Sequence, residues 1–392
     1  MVKTHKSLNI AGSQHSGFPK NLVHTNLVIP SVSQFSWGSQ SIIDIKQKGI
    51  KIHDAVLAFN INAITGVTPN GSTLPVLNSC YSWFQKIEIL INGTVMDTLY
   101  PDFNAYILNN LYAPDEDRLL INIAAGGSIA NRYTLSNTNG SVWYLSLKTL
   151  FNQNHFGILT QNHEVQLRVT MNPLSNVLNQ GALVGTCSCT INNVSLLARV
   201  TQLDTPTIQR LLVDMNKTPR HSLFLSTRYQ SFVVQAGVSN TNLVMTAITG
   251  SVHSLYFIVR NTNALTGASN NSYNAIKDFS INGSDGQNIV GGTVIPSTFN
   301  LLIQNKHWFE STFCSEGFTG VNNSYVYTYS FSVDPASSFK NASHLTTRIM
   351  TGNENLIINF TSALASTAQV DVFALVESSL EQSPSYVKLI NL

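Results

Sequence analysis

The sequence predicts an all-β protein: two consecutive β-sandwiches joined by a short helix, with short helical insertions. Three observations carry that expectation. Short β-branched segments separated by turn residues run along nearly the whole chain, the pattern of antiparallel sandwiches or barrels. A strand, an Asn-Gly turn and a helical stretch occur in the same order twice, about 190 residues apart, which reads as an internal duplication. Between the copies lies the best-defined helix of the sequence, Asp204 to Asn216.

Residues 1–26 read as an amino-terminal arm. They show no sustained periodicity and carry Lys3, Lys6 and Lys20 among Ser, His and Asn. Such an arm either frays, as chain ends do, or orders on a neighbour or an anionic surface.

Residues 27–203 form the first predicted sandwich. LAFNINAI at Leu57 to Ile64 is a candidate strand, followed by Phe84 to Tyr112. There Ile87, Ile89 and Ile91 alternate with Lys86, Glu88 and Leu90, predicting a strand with one buried face. Asn92-Gly93 then turns the chain, because both residues tolerate positive φ. Beyond Pro101 and Asp102, Phe103, Tyr106, Ile107 and Leu111 recur at helical spacing, with Asp102 placed to cap. SVWYLSL at Ser141 to Leu147 is an aromatic strand. His163 to Met171 is the clearest strand, with Val165, Leu167, Val169 and Met171 on the core side and His163 expected on its surface. Cys187 to Val200 reads as the last strand.

Residues 204–220 form the predicted joint: a capping Asp or Thr, Pro206 in the first turn, Ile208, Leu211, Leu212 and Met215 on one face, and an exit through Pro219. Residues 221–392 repeat the first plan. Leu223 to Val234 opens, HSLYFIVRN follows at His253 to Asn261, and Ile276, Phe279 and Ile281 lead into Asn282-Gly283-Ser284. Pro296 and Ser297 open FNLLIQNKHWF at Phe299 to Phe309. Tyr325, Tyr327, Tyr329, Phe331 and Val333 alternate with small residues, and Val370, Val372, Ala374 and Val376 close the pattern. Each half is long enough to bury a core of its own.

Charged residues make up 11% of the chain, against about 25% in ordinary soluble proteins. Its surfaces must be covered by Asn, Ser, Thr and Gln, or buried against other copies. The apolar content excludes disorder. A formal net charge of +2 supplies no field that selects nucleic acid or an acidic substrate. No apolar run spans a bilayer, and the opening MVKTHKSLNIAGSQHS lacks a signal-peptide core, so synthesis in the cytosol is expected. Asn-x-Ser/Thr triplets such as those at Asn92, Asn139, Asn193 and Asn341 then read as loops and strand ends. Cys80, Cys187, Cys189 and Cys314 are too few and scattered for a disulfide framework.

No motif of a nucleophile elbow, zinc protease, phosphate loop or dinucleotide fold is found. Asp115-Glu116-Asp117 lacks the ligand spacing of a calcium loop and reads as a solvated loop. Asp285 reads as a turn residue. Cys187 and Cys189 alone make a poor metal signal. Trp37, Trp83, Trp143 and Trp308 read as core or interface anchors. No catalytic, cofactor or metal residue is assigned, and no cofactor is expected.

The order of these segments resembles the double jelly-roll major capsid proteins of tailless icosahedral viruses, particularly bacteriophages with an internal membrane. The resemblance is carried by KIEILINGTVMDTLYPDFNAYILNNL (Lys86 to Leu111), LKTLFNQNHFGILTQNHEVQLRVTMN (Leu147 to Asn172), YTYSFSVDPASSFKNASHLTTRIM (Tyr327 to Met350) and FALVESSLEQSPSYVKLI (Phe373 to Ile390). The loop from Asn261 to Asn274 departs from it in length. The resemblance implies two eight-stranded jelly rolls and a structural protein of the virion shell. It implies a homotrimer forming a pseudo-hexagonal capsomer that contacts neighbouring capsomers, vertex (penton) proteins and an internal membrane, the last through the arm with Lys3, Lys6 and Lys20. Direct nucleic-acid binding is not expected. A β-sandwich binding module, such as a vertex spike or glycan-binding protein, is the alternative; a β-sandwich hydrolase has only scattered Asp, Glu and His in its favour.

Overall fold

The structure is a computed structural model that describes residues 23–45, 51–66, 76–101, 103, 123–126, 129–153, 162–179, 187–261, 273–290, 294–300, 325–332 and 347–391. The first half builds two four-stranded antiparallel sheets. One contains β1 (Val23–Pro30), β10 (Ile191–Gln202), β3 (Lys51–Ile61) and β7 (Ser141–Leu147), in that order. The other contains β2 (Gln40–Asp44), β8 (Val165–Met171), β5 (Phe84–Ile91) and β6 (Thr94–Leu99). A small pair, β4 (Val76–Leu77) with β9 (Leu178–Asn179), lies outside them.

The second half repeats the plan. One sheet runs β11 (Arg220–Val234), β19 (Ala368–Gln382), β13 (Thr249–Asn261), β16 (Tyr327–Ser330), with β17 (Arg348–Thr351) added on β13 and β20 (Val387–Asn391) on β19. The other runs β12 (Asn240–Val244), β18 (Asn355–Asn359), β14 (Asp278–Asn282), β15 (Ile295–Pro296). With the small pair, β17 and β20 set aside, each half has eight strands. In both, the first sheet reads first, eighth, third, sixth in chain order and the second reads second, seventh, fourth, fifth. Each half is a jelly roll, and the identical order displays the duplication.

Local chemistry accounts for the elements. Asn92 adopts φ 51° and Gly93 φ 77°, so the β5–β6 hairpin turns through two left-handed residues whose twist matches the strands. β8 buries every second residue, as its sequence alternates. The joint helix spans Thr205–Lys217; the Asp204 carboxylate accepts from the Thr207 N–H at 3.3 Å, and Ile208, Leu211 and Met215 are buried. In the first core Trp83 packs against Trp143 (4.8 Å between ring centroids), Trp37 (5.3 Å) and Phe59 (5.5 Å). In the second, Phe257 stacks on Tyr327 at 5.2 Å and meets Phe279 edge-on at 4.9 Å.

Four expectations change. β1 begins at Val23 and pairs with β10 from its first residue, so Val23–Asn26, assigned to the arm, belong to the sheet. β16 is only four residues long, and both of its faces are buried: Tyr327 on the aromatic face and Thr328 and Ser330 on the polar one are covered, while Tyr329 is half-buried. The reason is that both faces of its sheet are covered. β5 buries Glu88 and Leu90 as well as its three isoleucines. His163, expected on a strand surface, precedes β8 and is buried. The helical stretch after Phe103 and the one continuing beyond Asn300 lie outside the described residues.

Candidate functional site

Among the described residues aromatic and charged side chains converge at the seam between the two rolls. β13 and β19 are buried on both faces over most of their length. One face, with Leu255, Phe257, Val259, Val370 and Val372, fills the second roll's own core. The other carries Tyr256, Ile258, Phe373 and Leu375, which join the first roll's core cluster.

Strand register lines up the contact row. Tyr229 on β11 pairs with Phe373 on β19, which pairs with Tyr256 on β13. Onto this row the segment after β6 lays two rings. Phe103, fully buried, stacks on Phe373 at 4.6 Å with an interplanar angle of 4° and meets Tyr256 at 5.0 Å. Tyr100 packs on Tyr229 at 4.7 Å. The short helix Leu150–Gln153 also packs against β11. Its first amide, Leu150 N–H, donates to the buried Asp97 carboxylate at 3.0 Å, and Thr98 N–H donates at 2.9 Å. Burial pushes the Asp97 carboxyl up to about 7, partly offset by these two hydrogen bonds.

Beside the aromatic row, Asp371 is wholly buried and faces Arg260, whose Nε and terminal nitrogen lie 3.0 and 2.5 Å from Oδ2. Tyr229 Oη donates to Oδ1 at 2.8 Å and Gln369 at 2.7 Å. Burial alone would raise the Asp371 carboxyl, but the Arg260 guanidinium and the hydrogen bonds from Gln369, Ser231 and Tyr229 hold it below its ordinary range. A second ion cluster lies on β5 and β8, where Glu88 takes Lys86 and Arg168, each at 2.8 Å. His163 supplies a further tie. Its Nε2 donates to the Ser383 carbonyl of the second roll at 2.9 Å, which leaves Nδ1 to accept from Asn92 at 3.0 Å. Desolvation lowers its basicity, consistent with a neutral ring used as a fixed strut.

This arrangement holds two bodies in one orientation. The one pairing of a hydroxyl with an imidazole beside it, Ser254 Oγ at 2.9 Å from His253 Nδ1, is wholly buried in β13 among the described residues. Among the described residues no group of three or more His, Cys, Asp or Glu is placed to hold a metal. Asp285 accepts from Gln287 N–H within its turn. Cys187 and Cys189 are buried, and desolvation pushes the Cys189 thiol up to about 12, which leaves it inert. Lys3, Lys6, Lys20, Asp115, Glu116, Asp117, Cys314 and Trp308 lie outside the described residues. The seam itself was missed at the sequence level. Its signal is the run Val370 to Val376, apolar on both parities apart from Asp371, which marks a strand covered on two sides.

Comparison with known proteins then adds the following. Residues 20–214 match the family described as major capsid protein N-terminus. No curated protein matches the sequence. Among solved structures, the chain is similar to VP54 of PBCV-1, as fitted into a reconstruction of the virophage Sputnik, with 16% identity, a TM-score of 0.69, and coverage of 97% of this chain and 99% of that one. It is similar to the Faustovirus major capsid protein, with 10% identity, a TM-score of 0.68 and coverage of 95% and 92%. The Sputnik virophage structure matches with 10% identity, a TM-score of 0.60 and coverage of 100% and 93%.

Proposed function

From a chain that belongs to the double jelly-roll major capsid proteins, and so is a structural component of the virion shell and not an enzyme, we propose a homotrimeric, pseudo-hexagonal capsomer. The restriction to bacteriophages is dropped, since PBCV-1, Faustovirus and Sputnik supply the similar structures. The observation that carries the proposal is the repeated strand order joined across an extensive seam. Two rolls of one topology in each copy let three copies present six similar flanks, and a threefold assembly can then tile in hexagonal contacts.

Low charge suits that use, because packed copies repel little and few ions must be desolvated. Residues 23–203 and 220–392 act as the two rolls of the capsomer and 204–219 as their joint. The arm, with Lys3, Lys6 and Lys20, runs beneath the shell toward an internal membrane or neighbouring capsomers, and vertex proteins fill the remaining gaps. Light scattering with negative-stain imaging of the native protein tests the core of this reading. A trimer with a hexagonal outline supports it, and a stable monomer defeats it. Deleting residues 1–20 should leave the trimer intact and alter particle formation; unchanged particles would remove the arm's role.

A further inference from the structure

The duplication makes the seam a template for a contact that the described residues of one chain leave unmade. Leu99 at the end of β6 pairs with Ile87 on β5, and Ile295 on β15 pairs with Phe279 on β14; both edge residues are buried. Four residues beyond each stands a phenylalanine followed by asparagine, Phe103-Asn104 and Phe299-Asn300. Their surroundings differ sharply. Phe103 is fully buried against the second roll, whereas Phe299 is 49% exposed, with Val294 nearby 48% exposed.

The receiving surface has a counterpart too. Phe103 lies on the outward row Tyr229, Phe373, Tyr256 of the sheet β11-β19-β13. In the sheet of identical order, β1-β10-β3, Val28 pairs with Leu197, which pairs with Val56. These three face away from the first core, since their neighbours Ile29, Leu196 and Leu57 are buried within it. Val28 is 69% exposed, and Leu197 and Val56 are half-buried. An outward apolar row across three strands is unusual on a sheet face left to water. The next row adds Pro30 and Tyr144, both exposed.

We propose that Phe299 of one copy docks on the Val28–Leu197–Val56 row of a second copy of this chain, repeating between molecules the contact that Phe103 makes within one. The occupant is a second copy because the same chain already carries both halves of the contact: a phenylalanine flank on its second roll and an apolar row on its first. The contact is head-to-tail, and in the trimer proposed above it recurs three times, so that it alternates with the three internal seams around a ring of six rolls. The inference rests on the trimer reading and assigns that trimer its contact surfaces.

The test uses the full chain. The assembly of the wild type is read first, and chains that stay monomeric defeat the trimer reading itself. Given a wild-type trimer, Phe299→Asp and Val28→Asp should each weaken association by about tenfold or more, as loss of a buried aromatic anchor does, with circular dichroism unchanged. Because either variant could misfold, a chain carrying both Phe299→Cys and Val28→Cys is treated with a short bis-maleimide. It should yield covalent species of two and three chains, well above either single variant. A trimer that withstands both aspartates, or a double-cysteine chain that cross-links no more than the single variants, overturns the assignment while leaving the trimer standing.

Discussion

The two rolls share one strand order yet spend their outward faces differently. In the first roll, β7 and β8 alternate between buried and partly exposed positions, as sheets with one wet face do. In the second roll, β13 and β19 are buried on both sides and hold a desolvated Arg260–Asp371 pair. Topology therefore did not decide which face is core. The neighbour laid against it did: Tyr100 and Phe103 cover the aromatic row of the second roll's large sheet, whereas among the described residues no ring lies on the equivalent Val28–Leu197–Val56 row of the first. Two phenylalanines at matching places show the consequence most sharply, one fully buried and the other half in water.

That contrast can be broken most directly at the aromatic row. Phe103→Ala should cost about 3–5 kcal/mol, as deletion of a buried ring does, whereas Phe299→Ala should change the stability of the isolated chain by no more than about 0.5 kcal/mol. Denaturant melts of the two variants under dissociating conditions measure the difference; equal losses would mean the two flanks are not distinguished by the seam.

A slightly smaller effect is expected beside it. Arg260→Met removes the cation from a buried carboxylate and should cost about 3 kcal/mol, since a buried charge stripped of its partner is expensive. Tyr229 and Gln369 keep donating to Asp371, which holds the loss near the lower end of the range for such deletions. Replacing both Arg260 and Asp371 with apolar residues should recover much of the stability, and thermal melts of the single and double variants would show whether it does.

The smallest effect concerns pH. The folded state raises the Asp97 carboxyl from the usual 3.8 to about 7, so between those values the native chain holds a proton that the unfolded chain has released. Stability from this group is full below about pH 4 and is lost as pH rises toward and through 7. His253 opposes it in the lower part of the range. Burial lowers its basicity to about 4, so acidification from about pH 6.5 downward favours the unfolded state, which takes up the proton. Above about pH 6.5 the His253 effect is spent, and Asp97→Asn should flatten the decline of stability between about pH 6.5 and 8 by about 0.8 kcal/mol. An unchanged slope in urea melts across that range would show that Asp97 is not the group responsible.

Much of the architecture was legible in the order of residues, because it depends on short-range chemistry. Asn92-Gly93 can only turn, Asp204 and Pro206 start a helix wherever they stand before an amphipathic run, and period-two alternation in Val165 to Met171 marks one buried face. The repetition of those signals exposed the duplication, which the strand orders display.

What only the tertiary structure decided is which outward faces meet. That choice depends on residues far apart in sequence: Phe103 with Phe373, His163 with the carbonyl of Ser383, Asp97 with the amide of Leu150. Local pattern placed His163 on a surface because it reads two neighbours at a time, and the chain that covers this histidine arrives 220 positions later. Alternation reports that a face is apolar, but burial is a property of a pair of surfaces, and the second surface is set by how the two rolls pack.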